Sequence, residues 1–145
     1  KIFDEVARDF PTVATDRIYV DAMALFLVQR PESFDVLVTE NMFGDILSDL
    51  AAGLVGGMGM APSGDIGDHH AVFQPAHGTA PTLAGQGIAN PVATILSVAM
   101  MLEWLDHPET LRGARLITDA VTRVLANPDN RTADLGEEVS KFYMR

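Results

Sequence analysis

The sequence predicts an α/β fold, and three observations carry that reading. Compact apolar runs with no helical stripe alternate with segments whose apolar residues recur every three to four positions. Proline, asparagine and glycine stand where those segments would start and stop. The length, 145 residues with 48% hydrophobic, suits one ordinary domain able to bury a core, roughly 70% of its unfolded surface.

Ile2, Phe3, Val6 and Phe10 repeat at helical spacing and Pro11 stops the pattern, so residues 2–10 are expected to be a short amphipathic helix. Ile18-Tyr19-Val20 is β-rich and reads as a short strand. Ala22 to Arg30 is helical by composition and ends before Pro31. Phe34 to Thr39 is an apolar run without a stripe, the pattern of a buried strand. Gly44 to Leu54 follows as a helix with Ile46, Leu47, Leu50 and Leu54 as its apolar face. Residues 53–67 hold six glycines and Pro62, too many for a regular helix, and read as a loop or hinge. Val72-Phe73 is a short strand candidate, followed by an irregular stretch from Pro75 to Asn90. Asn90-Pro91 opens the next helix, Asn as cap and Pro at the first helical position. That helix runs to about Leu105 and is apolar on nearly every side, which predicts burial from several directions. Pro108 opens another, striped by Leu111, Leu116, Ile117, Val121, Val124 and Leu125 and ending before Pro128. Asp134 to Arg145 is expected to carry a last short helix.

Composition narrows function. Twenty acidic against ten basic residues give a formal charge of −10, with no basic patch, so nucleic acid is not an expected partner. Without cysteine there is neither a disulfide framework nor a thiolate metal site. The longest apolar stretch, Ile95 to Leu105, is interrupted by Ser97 and Glu103 and is too short to span a bilayer. No membrane association is expected, no signal peptide opens the chain, and the expected location is cytoplasmic. The chain begins at Lys1 within a helical pattern and is expected to be a piece of a longer protein.

The strongest chemical signal is Asn41-Met42-Phe43-Gly44-Asp45-Ile46-Leu47-Ser48-Asp49. On a helix, Asp45 and Asp49 share one face, and two like charges so placed cost about 0.2–0.5 kcal/mol. A divalent cation removes that repulsion, and an oxygen-only donor set suits Mg²⁺ or Mn²⁺. Taken alone, the pair is equally what a solvated helix face carries. Asp21, after an apolar run at an expected strand end, is a further candidate ligand, since ligands gather at strand ends in α/β proteins.

His77-Gly78-Thr79-Ala80-Pro81 lies in the irregular stretch before the Asn90 cap. Gly78 lets backbone approach a ligand closely, Thr79 offers a hydroxyl and His77 a flat ring, parts suited to gripping a nucleotide. Neither Gly-x-Gly-x-x-Gly between strand and helix nor the P-loop pattern is present. A lone loop histidine is as readily structural. His69 and His70 are adjacent and point apart, so they read as loop residues, and no spacing suggests a nucleophilic triad.

Taken together, these segments resemble the C-terminal portion of the β-decarboxylating dehydrogenases, the family of isopropylmalate, isocitrate, homoisocitrate and tartrate dehydrogenases. The resemblance rests on Tyr19 to Met23, Asn41 to Asp49, Gly56 to Ser63, His77 to Pro81 and Gly85 to Pro91, and covers at least residues 16–125. It implies an isocitrate/isopropylmalate dehydrogenase-like α/β fold. Residues 1–55 would end the dimer-forming, metal-side domain, and 56–145 would form the C-terminal part of the larger cofactor-binding domain. Members oxidise a 2-hydroxy acid with NAD or NADP and lose CO₂ from the β-carboxylate through an enolate. By this resemblance Asp45 and Asp49 hold Mg²⁺ or Mn²⁺ from one subunit. Asp21, as metal ligand and catalytic residue, reaches the same ion from the partner in a homodimer. His77, Gly78, Thr79, Ala80, Thr82 and Asn90 form the cofactor-binding loop, with His77 and Asn90 near the adenine.

Two departures bear on the cofactor. NAD-using relatives carry an aspartate directly after HG[ST]AP, where this chain has Thr82, and many carry Glu where it has Gln74. Both changes subtract negative charge near the nucleotide, which leaves NAD against NADP open. The family's clamping arginines, catalytic tyrosine and catalytic lysine lie upstream of the matched part. The resemblance therefore implies an isopropylmalate- or tartrate-like activity, with isocitrate or homoisocitrate dehydrogenase as the alternative. A non-catalytic nucleotide-binding member is a further one. The 145-residue piece alone is expected to be inactive.

Overall fold

A computed structural model describes residues 1–136, and it divides into two compact units, Lys1–Gly44 and a second beginning at Asp45. The 1–55 and 56–145 reading concerns domains of the intact protein, which these units do not address. The expected helix beyond Asp134 falls mostly outside the described residues. Ala133–Leu135 is a single 3₁₀ turn.

In the first unit, α1 (Ile2–Ala7) is shorter than its apolar repeat suggests; single turns at Asp9 and Phe10 continue it to the proline. Arg17 pairs with Asp4, whose carboxylate also meets the N-terminal ammonium at 3.4 Å. α2 (Val20–Gln29) buries Met23 and Leu27. The expected strand at Ile18-Tyr19-Val20 is not formed: Tyr19 is extended, but Val20 is already helical. Past α2 the chain turns at Pro31–Ser33, and Arg30 lies over the rings of Phe26 and Phe34 at 4.3 and 5.9 Å.

The second expected strand, Phe34 to Thr39, is also irregular, with Val36 81% and Val38 74% exposed. The reason is physical. A buried strand exists only where neighbours take its backbone N–H and C=O groups and cover both faces, and the described residues supply no such neighbour.

α3 (Asn41–Leu54) starts three residues before the expected Gly44. Leu47 and Ala52 are buried, Leu50 and Leu54 half-buried, and Ile46 is exposed rather than part of the apolar face. The helix ends in a Schellman motif: Gly57 N–H donates to Ala52 C=O at 2.8 Å and Gly56 N–H to Gly53 C=O at 3.4 Å. Both glycines have φ near +100°, which an L side chain resists.

The glycine-rich stretch, expected as loop throughout, contains a strand. β1 (Pro62–Ile66) pairs antiparallel with β2 (Ala71–Pro75), Pro62 opposite Pro75 and Gly64 opposite Phe73. The two prolines, which cannot donate, sit at the open end of the hairpin, where strand prolines are tolerated. α4 (Val92–Trp104) packs against both strands and against α5 (Pro108–Ala126). The expected burial from several directions is met only in part: Val92, Ala93, Ser97 and Ala99 are buried, while Ile95, Val98 and Met101 are exposed. Ala93 and Ala114 are fully buried, and Ser97 satisfies its buried hydroxyl by donating to Ala93 C=O at 2.8 Å. Met60, Val92 and Leu135 form a core cluster with Leu96, Val121 and Leu125 packed on it. No helix among the described residues is long and apolar enough to cross a membrane.

Candidate functional site

α3 displays Asp45 and Asp49 one turn apart, both exposed, while Leu47 between them faces inward. At 3.6 residues per turn the pair shares a face. Ser48 Oγ donates to the Asp45 carbonyl at 3.1 Å, a bond inside the helix. Two adjacent carboxylates on a regular helix are hard oxygen donors at fixed spacing, suited to a hard divalent cation that keeps water or substrate in its remaining positions. Among the described residues no group of three His, Asp or Glu side chains assembles to hold a metal ion. Asp45 and Asp49 thus share a helix face but are joined by no third such side chain among the described residues.

Asp21 stands in the first turn of α2, not at a strand end, and its Oδ1 accepts from Ala22 N–H at 2.9 Å. An aspartate there is favoured by the helix dipole, a local reason for the residue that is independent of metal binding.

The segment from His77 to Asn90 is built of turns. His77 is half-buried, with Nδ1 2.8 Å from Gly78 C=O. A carbonyl only accepts, so this contact places the hydrogen on Nδ1 and leaves Nε2 of the neutral ring as an acceptor. Gly78 and Thr79 are exposed. Ala80 sits in the left-handed region at φ 41°, ψ 61°, directly before the 3₁₀ turn Pro81–Leu83. That conformation costs a non-glycine residue roughly 1–2 kcal/mol, and such residues cluster at binding loops. Gln86 Nε2 closes the turn by donating to Thr82 C=O at 2.6 Å, so the Thr82 side chain points from a fixed backbone.

Asn90 does what its sequence position suggests, with one shift: its Oδ1 accepts from Val92 N–H at 3.0 Å, and Pro91 occupies the cap position rather than the first helical one. Its other end was not foreseeable. Nδ2 donates to Asp134 Oδ2 at 3.0 Å across 44 residues of sequence, and Gly59 lies against both side chains. No local pattern announces Asp134 or Gly59; only the folded chain brings them to Asn90.

Comparison with known proteins gives a consistent result. The family model for isocitrate/isopropylmalate dehydrogenase matches residues 1–143. An isocitrate/homoisocitrate dehydrogenase of Thermus thermophilus is 58% identical over 136 residues, 94% of this chain and 40% of that protein. A 3-isopropylmalate/3-methylmalate dehydrogenase of Methanocaldococcus jannaschii is 48% identical over 144 residues, 99% of this chain and 42% of that protein. The crystal structure of an isocitrate dehydrogenase from Methylococcus capsulatus superposes with a TM-score of 0.80 at 46% identity, covering 94% of this chain and 40% of that one. The fold is thus part of a known α/β architecture, and the chain spans about two fifths of the length of these relatives.

Proposed function

The chain belongs to the isocitrate/isopropylmalate dehydrogenase family, and from that premise we propose that the intact protein oxidises a 2-hydroxy dicarboxylic acid and releases its β-carboxylate as CO₂, with NAD or NADP as hydride acceptor. The observation that carries the proposal is the exposed Asp45–Asp49 pair on α3 within the NMFGDILSD block.

Asp45 and Asp49 would hold Mg²⁺ or Mn²⁺, with Asp21 of the partner subunit completing the set in a homodimer. When bound, such an ion polarises the substrate's hydroxyl and carboxylate oxygens and favours negative charge there. α3 contributes rigidity: its hydrogen-bonded turns hold the two carboxylates at one spacing, so the site is organised before substrate arrives. The turns from His77 to Thr82 bind and orient the nucleotide, Nε2 of His77 accepting a hydrogen bond and Gly78 admitting the ligand to the backbone. Identity supports the isocitrate/homoisocitrate alternative at least as well as an isopropylmalate- or tartrate-like substrate, since the 58% relative bears the former name and the 48% relative the latter type.

The test is Asp45→Asn in the intact protein, assayed with Mn²⁺, both dinucleotides and each of the four acids. Turnover is expected to fall roughly a hundredfold or more, in keeping with the loss of a metal's charge stabilisation. Near-wild-type turnover with every acid would refute the ligand role.

A further inference from the structure

We infer that Met100 is a redox-sensitive modification site: hydrogen peroxide converts its thioether to the sulfoxide, and the oxidised side chain releases the β1–β2 hairpin from α4. A consequence for dinucleotide binding follows from it, and that part rests on the reading of His77 to Asn90 as the dinucleotide-binding segment.

The hairpin docks on α4 where three groups converge. A Cβ built on Gly64 would stand 3.1 Å from Met100 Sδ and 3.1 Å from both Cδ1 and Cε1 of the Phe73 ring. No positive φ calls for glycine at this position; the packing does. Gly64 faces Phe73 in the strand register, so sulfur and ring together fill the room a side chain on β1 would take. Trp104, four residues beyond Met100 and on the same side of α4, meets the same Phe73 ring at 6.0 Å. Phe73 therefore has two supports on the helix, a thioether and an indole.

Access to the sulfur is graded along the chain. Met60 and Met23 are shielded at 2% and 8% exposure, and Met42 and Met101 are exposed. Met100 is half-buried, open enough to meet a small oxidant and packed enough for the product to matter. The sulfur attacks one peroxide oxygen, and the S–O bond forms as the O–O bond breaks. Sulfur gives up two electrons, and the other oxygen departs as water with the remaining protons. An apolar side chain has become a polar one with an acceptor oxygen. In the gap over Gly64 that oxygen meets aromatic carbon, and an acceptor buried without a donor is costly. The oxidised group turns to water, and Phe73 loses one of its two supports.

β2 leads straight into the His77 segment. It ends at Pro75, and Ala76 N–H extends the pairing by donating to Ala61 C=O at 3.0 Å, one residue before His77. A hairpin freed from α4 carries the start of that segment with it, while Asn90 stays bonded to Val92 at the start of the helix. Binding must then order what oxidation has loosened.

The experiment treats the intact protein with hydrogen peroxide and reads oxidation at each methionine by peptide mass spectrometry. Amide hydrogen exchange of residues 62–75, the thermal midpoint and the calorimetric Kd of NAD⁺ and NADP⁺ are measured alongside. Wild type is compared with Met101→Leu and with Met100→Leu, a swap that keeps apolar volume and removes the sulfur. In oxidised wild type and Met101→Leu, exchange of the hairpin amides is expected to rise about tenfold and the midpoint to fall; Met100→Leu should show neither. A methionine sulfoxide reductase with a thiol reductant should reverse the rise. The Kd of the bound dinucleotide should rise about threefold in oxidised wild type and stay level in oxidised Met100→Leu. Full oxidation at Met42 and Met101 with Met100 intact overturns the inference, as does Met100 sulfoxide with unchanged hairpin exchange. An equal response in Met100→Leu overturns it too, placing the sensitive sulfur elsewhere, such as half-buried Met58. A level Kd beside raised hairpin exchange overturns the consequence for the nucleotide segment and supports the modification itself. Wild type that binds neither dinucleotide before treatment overturns the nucleotide reading, and hairpin exchange still decides the rest.

Discussion

The rings of Phe73 and Trp104 lie with centroids 6.0 Å apart and planes inclined at 56°, joining β2 to the end of α4. A tilted pair of this kind adds about 0.5–1.5 kcal/mol beyond the area it buries. Phe73 also covers Gly64 on the facing strand, where a Cβ would come within 3.1 Å of its ring and of Met100 Sδ. One aromatic side chain therefore secures both the hairpin and its docking on the helix.

Phe73→Ala is expected to destabilise the protein by about 2–3 kcal/mol, less than the loss of a fully buried phenylalanine. Trp104 is the one tryptophan of these 145 residues, so the emission of this chain should shift to longer wavelength in the folded variant as more water reaches the indole. Urea unfolding followed by fluorescence reads both. An unmoved emission maximum would show that the ring pair does not shield Trp104.

Gly57→Ala tests the end of α3. Nothing lies within 4 Å of the position a Cβ would take, yet φ is +100°. The cost is conformational alone, about 1 kcal/mol, and should appear in the denaturation midpoint with little change in the denaturant slope. A neutral substitution would mean that the helix ends without this turn.

The proposed metal site has a signature that does not depend on turnover. Mn²⁺ at a hundred times its Kd should stabilise the intact protein by about 2.7 kcal/mol through mass action, raising the thermal midpoint by several degrees. Asp49→Asn should abolish the rise. In metal-free buffer the same substitution should be neutral or stabilising by about 0.2–0.5 kcal/mol, because it removes one member of a like-charged i,i+4 pair. A midpoint that still climbs with Mn²⁺ in the variant would place the ion elsewhere.

Thr82 would set the charge beside the ribose in the proposed nucleotide site. Thr82→Asp should shift preference towards NAD⁺ by roughly tenfold or more in the ratio of kcat/KM values, about 1.4 kcal/mol, since a carboxylate accepts from ribose hydroxyls and repels a further phosphate. Its backbone is held by Gln86, so the substitution changes the side chain without remodelling the turn. An unaltered ratio would remove Thr82 from the site.

Legibility in the sequence tracked the range of the interactions involved. Asn90-Pro91, the Asp45–Asp49 face and the glycine stop after Leu54 are local matters of capping, periodicity and backbone freedom, and each is found within a few residues of its expected place; the stripe of α5 holds only in part, since Leu116 and Val124 are exposed and Ala114, outside it, is fully buried. Phe34 to Thr39 failed as a strand because a strand is a relation between segments, and its composition cannot create the neighbour. Pro62–Ile66 was missed for the converse reason: a glycine- and proline-containing run has poor strand propensity, and only pairing with Ala71–Pro75 and cover from α4 make it one. Asp134 and Gly59 were invisible for the same cause, since nothing near either one refers to Asn90.

The bond between Asn90 and Asp134 closes a loop around both long helices. Bringing ends 44 residues apart together carries an entropy cost of about 3 kcal/mol in a flexible chain, more than one hydrogen bond returns. The latch therefore cannot nucleate anything. It can shut only after α4 and α5 have paired and lent it their rigidity, and what then keeps it shut is Leu135 beside it, buried against Met60 and Val92.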